Sequence, residues 1–423
     1  MSELPNGFTG FSSNSGNFQY SRDSHTSNKE QAVDFGLDEL DSIFELDRRW
    51  SWVEVDLNAI RYNTMVTRRR LPRGCRLMAV VKADAYGHGA VMVAKTALNS
   101  GADYLGVATI DEAIELRTAM INAPILVLSE PPEEAIPLFL AYKVMPTIYT
   151  PEFAIQYAEV ADAHHIVAPY HLKINTGMNR IGVRYDEVVE FLRRVDFHRA
   201  LELVGTFTHF ATADCSETLD FQIQTKRFIE AINAMKLAGV NPGIVHAANS
   251  AAIFRYPDVH FDMVRLGIAL YGIHPCKETR KMIELHPAMS VKARITDVRA
   301  LSMSEGVGYG MRYRSPGNVK ICTLPVGYAD GYRRGLSDRI DVLYNGQRFR
   351  QVGTICMDQC MFETDMRVYG TRKRPNPQIG EEVILLGRDK NEVITADDMA
   401  RILDTIPYEV LIGFANRMPR IYT

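Results

Sequence analysis

From Trp52 onward, short apolar runs alternate with longer stretches in which apolar residues recur every three or four positions. The short runs are Ala79-Val80-Val81, Tyr104–Ala108, Ile125–Leu128, Val144–Ile148, Tyr170–Ile174, Leu203–Thr208, Gly243–His246 and Met263–Leu270. Each has the length of a strand. Between them, Ile110–Ala119, Pro132–Tyr142, Phe153–Ala163 and Thr218–Ala238 read as helices, and Ile110, Ala113, Ile114 and Leu116 make a single buried stripe. Strand–helix alternation calls for parallel strands with crossover helices. Eight such units in one domain match a closed (β/α)8 barrel better than an open sheet. The open doubly wound alternative lacks its Gly-rich turn after the first strand.

The pattern changes after residue 286. Met289–Leu301, Val319–Pro325, Ile340–Leu343, Gln347–Thr354, Met361–Asp365 and Glu382–Leu386 read as strands without long helices between them. Asn345-Gly346 between two of them predicts a type I′ hairpin, because that turn needs positive φ at both positions. The expected architecture is α/β, with a TIM-like (β/α)8 barrel over 47–286 followed by a mainly β C-terminal domain over 287–423. Trp52–Asp56 is a candidate to pair into that second domain. Residues 1–46 are expected to form a disordered or weakly ordered extension. Their first thirty positions hold seven Ser, four Asn and three Gly, too little apolar surface to offset the entropy of ordering. Within 34–46, Leu37, Leu40, Ile43 and Phe44 share one face of a short predicted helix.

Composition narrows the function. The chain has 423 residues, 46% apolar and 23% charged, with 48 basic and 51 acidic side chains. That near-neutral balance argues against nucleic acid as a partner, and Arg68, Arg69 and Arg70 read as a solvated helix end. Cysteines 75, 215, 276, 322, 356 and 360 show no metal-ligand spacing, and the Cys356/Cys360 pair has no second pair beside it. No metal is expected. No apolar run reaches the ~18–20 residues of a membrane span, and no secretory signal opens the chain, so a cytoplasmic protein without a membrane partner is the expectation.

Barrel enzymes carry their sites at the carboxyl ends of the strands. The first strand ends Val80-Val81-Lys82 and runs into Ala83-Asp84-Ala85-Tyr86-Gly87-His88-Gly89. A lysine behind three buried residues loses water, which favours the neutral amine that attacks a carbonyl. The alternative is a strand-end lysine that snorkels to solvent. Lys173 lies near the end of the fifth strand and Arg180 follows it, His209 follows the sixth and Asn249-Ser250 the seventh, while Arg265 and Gly267 sit at the eighth. Ser250 and Gly267 fall where barrels often hold phosphate, although Ser250 also reads as a plain helix cap. Lysine, phosphate loop and arginine on one rim point to pyridoxal 5′-phosphate.

The run Val80 to Gly89 resembles the cofactor-attachment motif of alanine racemases. Further similarity lies in His171–Gly182, Thr208–Asp214, Arg265–Gly272, Gly306–Gly310, Gly327–Gly331, Ile355–Gln359 and Ile406–Glu409, so that it spans residues 50–423. The resemblance implies an isomerase that interconverts L- and D-alanine for peptidoglycan synthesis. By it, Lys82 binds the cofactor aldehyde and serves as the base on the D face, and Tyr309 is the base on the L face. Two bases are needed because a proton removed from one side returns from the other. The two residues sit in different domains, and the resemblance implies a head-to-tail homodimer with shared active sites. Tyr86, Ser250, Gly267, Ile268 and Tyr408 match phosphate-binding positions, with Asn249 beside them. Arg265 matches the partner of the pyridine nitrogen, which a guanidinium leaves unprotonated and so weakens as an electron sink. His209 matches the link between Arg265 and Tyr309. Arg180 matches a contact to the cofactor and the substrate carboxylate, and Lys173 a lysine often carbamylated. Met357 and Asp358 match a substrate-closing loop. Tyr328 and Tyr408 are expected to narrow the entrance for a small side chain. One departure stands out: Asn175 occupies a position usually acidic.

Three rival readings differ from this one at particular residues. A barrel decarboxylase needs an acid at Arg265 and a glycine triplet at the phosphate loop. A racemase of wider specificity differs only in its pocket, since an extra hydroxyl is rejected by only ~10²-fold in an apolar site. A cofactor-carrying single barrel lacks Tyr309 and the β domain.

Overall fold

The structure, a computed structural model, describes residues 48–195, 198–365, 376–414 and 417–423. The extension 1–46 and its helix over 34–46 lie outside the described residues.

Eight parallel strands form the barrel: β1 (Arg76–Val80), β2 (Tyr104–Val107), β3 (Ile125–Val127), β4 (Thr147–Ile148), β5 (Ala168–Asn175), β6 (Leu201–Phe207), β7 (Ile244–His246) and β8 (Met263–Leu266). They follow each other around the barrel in chain order, and β8 returns to pair with β1. Between β3 and β4 the ladder is carried by Met145, whose N–H donates to Ile125 O (3.0 Å) and whose carbonyl accepts from Val127 N–H (3.0 Å). The expected strand Val144–Ile148 is shortened to Thr147–Ile148 because Pro146 has no N–H to give the ladder. Helices cover the outside. The helix Ile110–Thr118 starts in a capping box made by Thr109 and Glu112, and Pro151–Ala163 starts on the Thr150 hydroxyl. The expected strand Met263–Leu270 stops at Leu266, and Ile268–Tyr271 form a 3-10 turn.

Met78, Tyr104, Leu126, Met145, Phe207 and Met263 pack together as a cluster of their own, apart from the main core. They come from five strands and the bridge at Met145. Alternation along a strand then carries a direction onto later residues: Arg265 shares a face with Met263, and Val80 with Met78.

The second domain joins several sheets. Its largest orders Gln347–Arg350, Asp341–Tyr344, Glu382–Asp389, Met289–Arg294, Ser51–Val55 and Arg420–Tyr422 as neighbours. Ser51–Val55 pairs antiparallel with Met289–Arg294 and parallel with Arg420–Tyr422, so strands from both ends of the described chain share one sheet. A three-stranded sheet holds Asp297–Leu301, Val319–Leu324 and Cys360–Asp365. The expected strand Met289–Leu301 is therefore two strands in different sheets, changing partners at Ile295 and Thr296. Asn345 and Gly346 have φ of 52° and 75°, as the hairpin turn requires.

Candidate active site

Lys82 begins where β1 ends, and the chain then coils left-handed. Ala83, Asp84, Ala85 and Tyr86 have φ of 51–54° with ψ of 39–55°. Such a conformation costs an L-residue about 1–2 kcal/mol, so the turn needs outside support. Ala85 N–H donates to Val81 O (2.9 Å). Ala83 N–H donates to Glu112 Oε1 (2.7 Å), whose Oε2 accepts from Ala108 N–H (2.7 Å). Asp84 Oδ1 accepts from Ala90 N–H (2.8 Å), and the Tyr271 hydroxyl donates to Val80 O (2.8 Å). Gly87 closes the turn at φ +81°, where a Cβ would lie 2.8 Å from Leu411 O. The result aims the Lys82 amine at the rim. Burial and the charge of Arg180 lower its pKa from the ordinary lysine value, with Glu112 opposing them. The shift runs toward the neutral amine.

Inside the rim, Arg265 is buried without a carboxylate partner among the described residues. Nη2 donates to Thr208 O (2.7 Å) and Ala247 O (2.9 Å) and approaches His209 Nδ1 (3.2 Å), while Nη1 donates to His246 Nδ1 (3.0 Å). That bond makes His246 Nδ1 an acceptor, so Nε2 carries the proton and gives it to His171 Nδ1 (3.0 Å). Burial lowers all three histidines, Arg265's charge reinforcing it, and His171 falls to about 3. Arg265 itself falls to about 9 through desolvation and stays protonated near neutrality. Gly205 makes room for this relay: a Cβ there would lie 2.5 Å from the His171 ring. Lys173 is also buried, with Nζ 4.2 Å from the centre of the Phe207 ring. Burial first, then Arg265 and Arg180, push its pKa well below the usual lysine range.

A third corner joins Tyr86, Ser250, Gly267 and Ile268. The Ser250 hydroxyl accepts from Gly267 N–H (2.9 Å) and Ala269 N–H (3.3 Å). A Cβ on Gly267 would sit 3.3 Å from Tyr86 Oη and 3.7 Å from Ser250 Oγ, so the bare backbone opens a space between two hydroxyls. The Tyr408 ring stands 6.0 Å from that of Tyr86. Asn249 uses its side chain to cap the following helix, accepting from Ala252 N–H at 3.1 Å.

Tyr309, Tyr328, Met357 and Asp358 belong to a second group, in the β domain. Tyr309 is 74% exposed, and its hydroxyl has no hydrogen-bond partner among the described residues. The Thr354 hydroxyl donates to its carbonyl (3.2 Å). Tyr328 N–H donates to Cys356 O and Ala329 N–H to Met357 O, both at 3.0 Å. Asp358 is held by Arg417. His209 therefore meets Arg265 but makes no hydrogen bond to Tyr309 within one chain.

Sequence reading assigned no role to His171, His246, Thr208 or Glu112. The two histidines carried a signal, since His171 stands two residues before Lys173 and His246 ends an apolar strand. Asn175 faces its own loop: Oδ1 accepts from Gly177 N–H (3.1 Å) and Asn179 N–H (3.0 Å), and Nδ2 donates to Asn179 Oδ1 (3.0 Å). A carboxylate could not make that last bond.

Family models for the alanine racemase N-terminal and C-terminal domains match residues 55–275 and 288–422. Alanine racemases of Nostoc sp. and Carboxydothermus hydrogenoformans are 42% and 43% identical, covering 88% of this chain and 95% and 99% of theirs. The alanine racemase of Clostridium difficile superposes with a TM-score of 0.83 at 38% identity, over 88% of this chain and 96% of that one. That of Bacillus anthracis, with bound L-Ala-P, has a TM-score of 0.83 at 39% identity over 89% and 95%. A histidine racemase from Leuconostoc mesenteroides reaches 0.78 at 30% identity over 89% and 98%. Fold, site and likeness define an isomerase, an amino-acid racemase built from a (β/α)8 barrel and a β domain. Within that class, the chain belongs to the alanine racemase family.

Proposed function

We propose that this chain interconverts L- and D-alanine with pyridoxal 5′-phosphate attached through Lys82, using Lys82 and Tyr309 as bases on opposite faces of Cα. The observation that carries this is the pairing, on one barrel rim, of a desolvated lysine amine with a buried arginine that has only neutral acceptors.

The residues fit the cofactor. Its aldehyde suits the Lys82 amine, and its phosphate suits the corner of Tyr86, Ser250, Gly267, Ile268 and Tyr408, with Asn249 behind it. Its ring nitrogen suits Arg265, whose Nε makes no hydrogen bond among the described residues. When bound, the cofactor supplies the electron-withdrawing ring that makes the Cα proton removable. Arg265 keeps its own proton and so limits how far that ring accumulates charge, which favours return of the proton to Cα over side reactions. The His246–His171 relay holds the guanidinium in the plane its donors require. Arg180 holds the substrate carboxylate, and Lys173, as a carbamate, gives Arg180 an anion to rest on.

Tyr309 completes the site from a second copy of the chain. Its exposed ring lies in the same exposed group as Tyr328 and Met357, which suits a surface covered by a partner, and we read the assembly as a homodimer with shared sites. Met357 and Tyr328 then close the pocket around a methyl side chain. No helix among the described residues is long and apolar enough to cross a membrane. We place the enzyme in the cytoplasm, supplying D-alanine for peptidoglycan, with no nucleic-acid or membrane partner.

The likeness to a histidine racemase keeps a wider specificity in view, and one assay separates the two. Purified chain is incubated with L-alanine, L-serine, L-lysine or L-histidine, with and without added cofactor, and products are resolved by chiral chromatography. Fast D-alanine, slower D-serine and neither of the others is expected. Equal turnover of the large substrates overturns the specificity, and no inversion of any overturns the activity.

A further inference from the structure

Asp330 is a carboxylate with no exposure to solvent, at the end of the turn that carries Tyr328. It has three groups of partners. Oδ2 accepts from Gly327 N–H (2.9 Å), which closes the turn on itself. Oδ1 pairs with Arg49 Nη2 (2.5 Å) and with Arg417 Nε (2.6 Å). Arg417 Nη2 also reaches back toward Oδ2 (3.4 Å) and, with the same nitrogen, bonds Asp358. One guanidinium thus bridges a buried carboxylate under the Tyr328 turn and an exposed carboxylate beside Met357. The two pieces it joins are already in close contact. Tyr328 and Ala329 donate to Cys356 O and Met357 O, and a Cβ on Gly327 would fall 2.3 Å from both of those carbonyl oxygens.

We propose that Arg417 is a positioning residue: it straps the Met357–Asp358 loop to the Tyr328 turn and so sets the shape of the wall that closes on the substrate side chain. The inference rests on the reading that Tyr328 and Met357 close the alanine pocket. The geometry calls for arginine. The planar fork sets Nε on Asp330 while Nη2 bonds Asp358, a fixed two-nitrogen span that a single ammonium nitrogen cannot copy. A buried carboxylate stripped of its cation is strongly destabilising, but Asp330 has two cations. With Arg417 removed, Arg49 still neutralises it, so the fold survives while Asp358 loses its tether.

The test is Arg417→Gln and Arg417→Lys in the full chain loaded with pyridoxal phosphate, with Asp358→Asn as the conservative variant that keeps an acceptor. Hydrogen exchange by mass spectrometry is read first, without substrate. In Arg417→Gln, peptides spanning 327–331 and 354–359 are expected to exchange roughly tenfold faster, with barrel peptides unchanged. The KM for alanine is then expected to rise about five- to tenfold while kcat holds within about threefold. Arg417→Lys should resemble Arg417→Gln, and Asp358→Asn should fall between it and the unsubstituted chain. Unchanged exchange in those two segments, or equal acceleration everywhere, overturns the strap whatever the kinetics. Faster local exchange with an unchanged KM, in a chain that racemises alanine, overturns its role at the pocket. If the unsubstituted chain does not racemise alanine at all, the functional reading fails, and the exchange result still decides the strap.

Discussion

Lys173 shows most sharply what a single residue's surroundings dictate. Its amine lies on the face of Phe207 with Arg265 and Arg180 as the neighbouring charges, and no salt bridge reaches it among the described residues. A protonated amine there has two cations against it and little water, so folding pushes its pKa well below the ordinary lysine range. In the unfolded chain it is protonated below its ordinary value of 10.5. Unmodified Lys173 therefore costs stability at neutral pH, and that cost fades as pH rises toward the unfolded value. A neutral buried amine can add carbon dioxide, forming an N–C bond and releasing one proton, and the resulting carbamate places an anion between the two arginines. Labelled bicarbonate should then give a protein carbamate resonance by ¹³C NMR that Lys173→Ala removes. A resonance that survives the substitution, or never appears, rules the modification out. At this scale the sequence was partly readable. Lys82 and Arg265 stand at strand ends where chemistry is expected. Asn175 stood out only as a departure from the usual acid, and its side chain bonds its own loop.

The left-handed turn after Lys82 is invisible to pattern reading, since Ala-Asp-Ala-Tyr is a composition that right-handed helices also accept. What forces it is the space between Glu112, Ala90, Val81 and the backbone at Leu411. The strain gives an unusual prediction. Ala83 is exposed, at φ 51°, so Ala83→Gly removes left-handed strain without removing packing. Strain relief of about 1–2 kcal/mol outweighs the roughly 0.4–1 kcal/mol that glycine adds to unfolded-state freedom. The variant should be more stable by about 0.5 kcal/mol in denaturant unfolding, where glycine in a right-handed helix costs about 1. A loss of stability would mean that the turn is not strained. Met289–Leu301 offers the complementary case. The alternation Met289, Val291, Ala293, Ile295 slips by one at Thr296-Asp297 before Val298, and the pairing shows two strands meeting there.

At the scale of the molecule, the candidate bases lie on separate domains, and the Tyr309 hydroxyl is exposed with no hydrogen-bond partner among the described residues. Shared sites predict complementation. Lys82→Ala and Tyr309→Phe chains are each expected to be nearly inactive in racemisation. Unfolded together and refolded, half of the random dimers are mixed, and each mixed dimer holds one intact site, so about a quarter of the original activity should return. No recovery, with mixed dimers confirmed by mass spectrometry, overturns the shared site.

Local signals were enough for the barrel and the β domain, and they singled out Lys82 and Arg265 as candidates at strand ends. Strand length, helical spacing and strand-end chemistry are properties of neighbouring residues, and they survive in a linear string. Relations between distant residues needed the folded chain. His171 and His246 become a relay only when β5 and β7 flank a glycine on β6. Asp330 acquires its meaning from Arg49 and Arg417, which arrive from the two ends of the described chain. Hydrogen bonding and burial act over a few ångströms, and only tertiary structure decides which residues come that close.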